Sequence, residues 1–297
     1  MEIIRFPYSI QMKECKTIYQ CSSPRTTAFM INHHEIMDCS DCSLRFTELR
    51  DDLKNHLSKI YSDAYFFEGK DGYPNYLDSK EILINQGIRY GKLISKYKSS
   101  GNVLDVGCAA GFIMKGFQMI GWNCRGLEPN KSMAEYGRNQ LQLEIEVGSL
   151  ESFRSKEKYD LITLIQVVGH FYDIDMALHN INELLKPGGL VLVESWNRAS
   201  FTARLFGKSW HEYSPPSVVN WFSDKTLKDI FSQHHLELIQ KGFPKKQINL
   251  KHALSLIDSK IPKFTAKKQM FNFLINKFGT LNVYYPPLDL KWYLFQK

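Results

Sequence analysis

Between residues 102 and 195 the chain alternates short apolar runs with amphipathic stretches, and this alternation constrains the fold more than any other feature. The strand candidates are NVLDV (102–106), NCRGLE (123–128), LEIEV (143–147), DLITLI (160–165) and GLVLVES (189–195). Helical spacing follows the first run to about Ile120, extends from Pro129 and Asn130 to about Asn139, and covers 173–185 before Lys186, Pro187 and Gly188. Connections of this length are too long for hairpins, so the strands should run parallel with helices as right-handed crossovers. The nearly unbroken apolar run of DLITLI suits a central strand covered on both faces. Beyond it the spacing predicts a helix over 223–234, a strand around 236–241, helical structure over 252–278 and a last strand at 291–295. Upstream, the helical pattern over 78–97 is weakened by Gly87 and Gly91, and residues 1–50 read as irregular.

The first strand runs directly into VGCAAGF, where Gly107 allows a sharp turn and Gly111 opens the next helix. Backbone amides at a helix start favour acceptor atoms and negative charge. A phosphate-binding P-loop would need Gly-Lys-Ser/Thr here, and none is present. A dinucleotide fingerprint would place glycines where Ala109 and Phe112 stand, and the bulk of Phe112 argues against NAD. A short turn preceded by Asp105 suits S-adenosylmethionine, which carries no phosphate and ends in a zwitterion. Glu128, closing the second strand before Pro129, can accept both hydroxyl protons of a ribose. Ser149 and Leu150 follow the third strand, where they can flank an adenine.

Taken in order, Asp-x-Gly-x-x-x-Gly (105–111), Gly-Leu-Glu (126–128), Gly-Ser-Leu-Glu (148–151), Tyr-Asp-Leu-Ile (159–162), Gln-Val-Val-Gly-His-Phe (166–171) and Leu-Leu-Lys-Pro-Gly-Gly (184–189) resemble class I S-adenosylmethionine-dependent methyltransferases. The nearest branch is the ubiquinone-biosynthesis-like and sugar-methyltransferase-like one. The resemblance implies an α/β fold: a Rossmann-like, seven-stranded, mostly parallel sheet with helices on both faces and strand order 3-2-1-4-5-7-6. It places Asp105, Gly107, Ala109 and Gly111 at the methionine end, Glu128 and Pro129 at the ribose, Ser149 and Leu150 at the adenine, and Gln166 in the same cofactor set. The family's central glycine is Ala109 here, whose methyl would narrow the turn.

For the acceptor side, His170 is the first candidate for a base or orienting group, with a structural role as the alternative. His211 and Tyr213, in the segment SWNRASFTARLFGKSWHEYSPP (195–216), are secondary catalytic candidates that could equally pack on the sheet edge. The stretch YFFEGKDGYPNY, within 61–76, is read as a lid or as core packing. The expected acceptor is a sugar, nucleotide-linked sugar, quinone precursor or lipid-like metabolite. The competing readings are a cofactor-binding module without chemistry, an RNA or protein methyltransferase, and, weakest, a nicotinamide oxidoreductase.

Cys39 and Cys42 form a Cys-x-x-Cys pair, and Cys15 with Cys21 offers a looser second pair for a structural zinc; the alternative is a set of thiols holding no metal. The resemblance includes relatives with an N-terminal zinc-ribbon-like segment. It divides the chain into a cysteine-containing module over 1–50, a helical lid or connector over 51–98, and a methyltransferase domain over 99–297 with a helical insertion at 252–278. A net charge of +7 is too modest to select nucleic acid as a partner. No apolar run reaches the eighteen residues expected of a membrane span, and the N-terminus lacks a signal pattern, so a cytoplasmic setting is expected.

Overall fold

A computed structural model describes residues 25–49, 51–67, 76–245, 247–249, 282–284 and 286–297. In chain order it holds β1 (Arg25–Ile31), β2 (His34–Cys39), β3 (Arg45–Thr47), α1 (Leu53–Ile60), α2 (Asp63–Phe67) and α3 (Lys80–Ile94). Next come β4 (Asn102–Val106), α4 (Phe112–Gln118), β5 (Asn123–Glu128), α5 (Lys131–Leu141), β6 (Glu144–Val147), β7 (Tyr159–Ile165), α6 (Ile174–Leu184) and β8 (Leu185–Trp196). The remainder is α7 (Phe201–Phe206), β9 (Asn220–Trp221), α8 (Asp224–Gln233), β10 (Glu237–Gly242), β11 (Gln247–Asn249), β12 (Asn282–Tyr284) and β13 (Leu290–Gln296).

Seven strands form one sheet in the order β10-β13-β8-β7-β4-β5-β6. Numbered along the chain from β4, this is the expected 3-2-1-4-5-7-6 arrangement. β4, β5, β6, β7 and β8 pair in parallel, and β13 is antiparallel to both β8 and β10. Chain order reverses direction between β4 and β7, so a crevice opens beyond the carboxyl ends of these strands. At the opposite end, the buried Asp160 accepts the Asn102 N–H at 2.8 Å and pairs with Lys186 and Lys98. Burial alone would raise this carboxyl, but its three partners hold it at about 2.

The two glycines that weakened the helix pattern lie on the buried stripe of α3, which runs through Gln86, Gly87, Tyr90, Gly91 and Ile94. They let α4 approach closely. A Cβ on Gly87 would fall 2.1 Å from the Ile113 carbonyl oxygen, and one on Gly116 would fall 2.2 Å from that of Ile84. The helix therefore persists because its glycines are used for packing, which offsets their propensity cost of about 1 kcal/mol each.

Residues 25–47, read from sequence as irregular, instead form an antiparallel sheet in the order β1-β2-β3-β9. Asn32 and His33 both take positive φ (47° and 64°), the requirement of a tight two-residue hairpin turn. β3 pairs with β9, which ties this sheet to the segment following β8. The expected helical insertion at 252–278 lies outside the described residues, as do Cys15 and Cys21. No helix among the described residues is long and apolar enough to cross a membrane.

Candidate active site

The crevice at the strand reversal is lined by Asp105, Gly107, Ala109, Glu128, Pro129, Ser149, Leu150, Gln166 and His170 together. Gly111 stands just behind them as the left-handed N-cap of α4, with φ 79°. Gly107 is required for two reasons: its φ is 64°, and a Cβ there would lie 2.6 Å from a Val167 methyl. Ala109 adopts φ 48°, a left-handed conformation that costs a non-glycine residue about 1–2 kcal/mol. The Glu128 carboxylate offsets this cost. Its Oε2 accepts the Ala109 N–H at 2.8 Å, and its Oε1 accepts the Asn130 N–H at 2.8 Å. One carboxylate thus clamps the glycine turn to the start of α5, where the Asn130 side chain caps the Met133 N–H.

Burial raises both central acids. Glu128 moves up to about 7 against the pull of the Asn130 and Ala109 amides, with the charge of Asp105 adding to the rise. Asp105 also reaches about 7, although its Oδ1 accepts the Thr163 hydroxyl at 2.5 Å. Burial likewise lifts the Cys108 thiol well above its ordinary range, so this residue is a packing group and not a nucleophile. Phe112, whose bulk argued against NAD, is turned away from the crevice. It is fully buried and stacks on Tyr76 with ring centroids 5.5 Å apart.

The other wall comes from the segment before the sheet. Tyr61, Tyr65, Phe66 and Tyr76 line the crevice in an edge-to-face chain. Asn130 ties this wall down by donating to the Tyr61 carbonyl at 2.8 Å and to Asp63 at 3.0 Å. Sequence reading missed Asn130 in this role because its partners lie nearly seventy residues upstream. Glu151 also lines the crevice and accepts the Tyr172 N–H at 3.0 Å.

His170 faces the Ser217 carbonyl, with Nδ1 at 2.7 Å, and the Tyr61 hydroxyl donates to the same oxygen at 3.3 Å. An Nδ1 proton shared with that carbonyl leaves the lone pair of the neutral ring on Nε2. Burial lowers the imidazole's pKa, opposed by the Ser217 and Gln166 backbone carbonyls. His211 and Tyr213 are not among the residues lining the crevice. His211 packs edge-on against Trp196 and Trp210. Tyr213 is buried with Trp210 and Trp221, and its hydroxyl accepts from Arg45 at 2.8 Å. Their position follows from the N-terminal sheet, which supplies Phe29, Ile36 and Arg45 as partners.

Cys39 and Cys42 bracket the tight turn between β2 and β3, where the Cys39 carbonyl accepts the Ser43 N–H. Among the described residues no group of three or more His, Cys, Asp or Glu side chains is arranged to hold a metal ion.

Comparison with known proteins agrees with the fold. A family described as "Methyltransferase domain" matches residues 87–241. The ubiquinone biosynthesis O-methyltransferase of Rickettsia prowazekii is 27% identical over 150 residues, 47% of this chain and 58% of that protein. The match therefore spans little more than half the length of that relative. The Rickettsia bellii counterpart is 26% identical over 58% of this chain and 72% of its own length. A solved SAM-dependent methyltransferase from Archaeoglobus fulgidus shares the fold with a TM-score of 0.51 and 17% identity, covering 75% of this chain and 99% of that one.

Proposed function

The chain belongs to the methyltransferase-domain family, and from that premise we propose that it transfers a methyl group from S-adenosylmethionine to a small-molecule acceptor. The observation that carries this reading is Glu128. Each of its oxygens spends one lone pair on a backbone amide and keeps another for a ribose hydroxyl at the crevice. The residues fit the cofactor in charge as well. S-adenosylmethionine would supply an electrophilic methyl group on a positively charged sulfonium, and Asp105, Glu128 and Glu151 surround the crevice with acids. Ser149 and Leu150 would flank the adenine, and Asp105, Gly107 and Ala109 would hold the methionine end.

His170 is the group positioned to take a proton from an acceptor hydroxyl, through Nε2 of its neutral ring. His211 and Tyr213 belong to the aromatic cluster under the N-terminal sheet, so the catalytic assignment narrows to His170. Residues 61–67, with Tyr76, act as a lid pinned by Asn130. An aromatic or quinone-like acceptor methylated on oxygen is favoured, because the Rickettsia relatives are named for that chemistry and the tyrosine and phenylalanine wall suits a flat ligand.

Calorimetry with S-adenosylhomocysteine and with NAD, followed by transfer of labelled methyl to acceptor panels, tests the reading. Binding of the first and not the second is expected. NAD binding without S-adenosylhomocysteine binding would refute it, and cofactor binding with no transfer to any acceptor class would leave a binding module.

A further inference from the structure

Glu194, near the end of β8, is fully buried. Its Oε2 accepts the Gln86 amide at 3.0 Å and the Tyr90 hydroxyl, and its Oε1 accepts the Gln166 amide at 2.7 Å. None of the ion pairs among the described residues reaches it. A carboxylate buried without a cation is costly to keep, so three converging donors call for an account. The chemistry of the amides supplies one. A carboxylate only accepts hydrogen bonds, so both glutamines must turn their NH2 groups toward it and their carbonyl oxygens away.

Gln86 and Gln166 both line the crevice. Neither Oε1 has a hydrogen-bond partner among the described residues, and neither is sealed from solvent, so both oxygens open onto the crevice as acceptors. Around them the described wall carries three acids and no lysine or arginine, in a chain whose net charge is +7.

Resting on the methyltransferase reading, we propose that Gln86 and Gln166, oriented by Glu194, form the acceptor subsite, which moves Gln166 out of the cofactor set that the sequence resemblance implies. It takes a hydroxyl or amine donor on a neutral or cationic molecule and rejects carboxylated and phosphorylated ones. Glu194 is a positioning residue: it acts through the two amides and fixes which end of each meets the ligand. The negative charge behind them strengthens the carbonyl dipoles toward a donor and repels an anion. Nucleotide-linked sugars thereby drop out of the acceptor classes.

The test uses the whole protein saturated with S-adenosylhomocysteine and measures binding by ligand-observed NMR. Catechol is the neutral probe, tyramine the cationic one, and protocatechuate and UDP-glucose are the anionic ones. Catechol and tyramine should bind at least about tenfold more tightly than the anionic pair. In Glu194→Gln that preference should fall by about fivefold or more, while the affinity for S-adenosylhomocysteine stays within about twofold. Gln86→Leu should weaken catechol without touching the cofactor, and it provides a second variant if the first folds poorly. The proposal is overturned if protocatechuate binds as well as catechol, if no probe binds, or if Glu194→Gln keeps the preference. It is also overturned if both variants weaken cofactor and probes together. Failure of the unaltered protein to bind S-adenosylhomocysteine would instead sink the methyltransferase reading, a separate outcome of the same experiment.

Discussion

Replacing Glu128 by glutamine isolates the clamp between the glycine turn and α5. In the native crevice both carboxylate oxygens accept backbone amides at 2.8 Å. A glutamine has one acceptor oxygen, so whichever way its amide turns, its NH2 faces either the Ala109 or the Asn130 N–H. One charge-assisted hydrogen bond is lost, about 1.5–3 kcal/mol, and a donor is left against a donor. If the loss falls on Ala109, nothing offsets its left-handed backbone at φ 48°. The proposed ribose contact would weaken in the same stroke. At about 1.4 kcal/mol per tenfold, S-adenosylhomocysteine should bind roughly 10- to 100-fold more weakly to Glu128→Gln at about pH 8. Titration calorimetry measures this, with thermal unfolding in parallel to show that the variant folds. The design carries an internal control. Glu128 titrates at about 7, so near pH 6 the native side chain already holds a proton and the gap between the two proteins should narrow. Equal affinity at pH 8, within about twofold, would show that the clamp does not hold the cofactor loop.

Further outcomes follow from the same geometry. Asp105 and Glu128 both titrate at about 7 in the free protein, so affinity for a cationic cofactor should rise about ten- to a hundredfold from pH 6 to 8, read as proton release in calorimetry. Because these folded-state values lie above the unfolded ones, the free protein binds more protons when folded. Their contribution to stability should therefore be largest below about pH 4 and fade as pH rises through 7. Asp160 has the opposite sign: held at about 2 by its partners, it stabilises above about pH 4, and that stability is lost as pH falls through 2. Asp160→Asn should flatten this part of the acid-unfolding curve followed by circular dichroism. Gly87→Ala puts a methyl 2.1 Å from the Ile113 carbonyl and should cost about 1–3 kcal/mol by denaturant unfolding; an unchanged midpoint would refute the close helix contact.

The parallel sheet was legible because its central strands β4, β7 and β8 are apolar runs ended by turn chemistry, a local signal. The crevice was legible for a related reason: Asp105, Glu128 and Ser149 stand at or just past the ends of adjacent strands, and the strand order brings them together. The N-terminal sheet was not, since β1 carries mostly exposed residues and β3 spans only three. Its one local clue was Asn32, a residue type that tolerates left-handed turns, between two β-prone stretches. Long-range contacts set the rest. Nothing local marks Glu194 within its strand, and its partner Gln86 lies 108 residues away. His211 and Tyr213 have the residue types of an active site, and Tyr213 faces instead into contacts with Phe29 and Arg45 on distant strands and with Trp210 and Trp221. The glycines of α3 misled in the same manner, their value residing in a helix that follows later in the chain.

The placement of β13 bears on how the molecule is made. It lies between β8 and β10, which do not pair with each other. Ribosomes add roughly 5–20 residues per second, so about 50 residues separate the emergence of β10 from that of β13 by on the order of 3–10 s. During that interval β8, whose buried face carries Glu194, presents an unsatisfied backbone edge to its surroundings. A nascent chain in this state can recruit a strand from a neighbouring copy. Growth at lower temperature or added chaperone should therefore raise the soluble yield more than any change at the protein's surface.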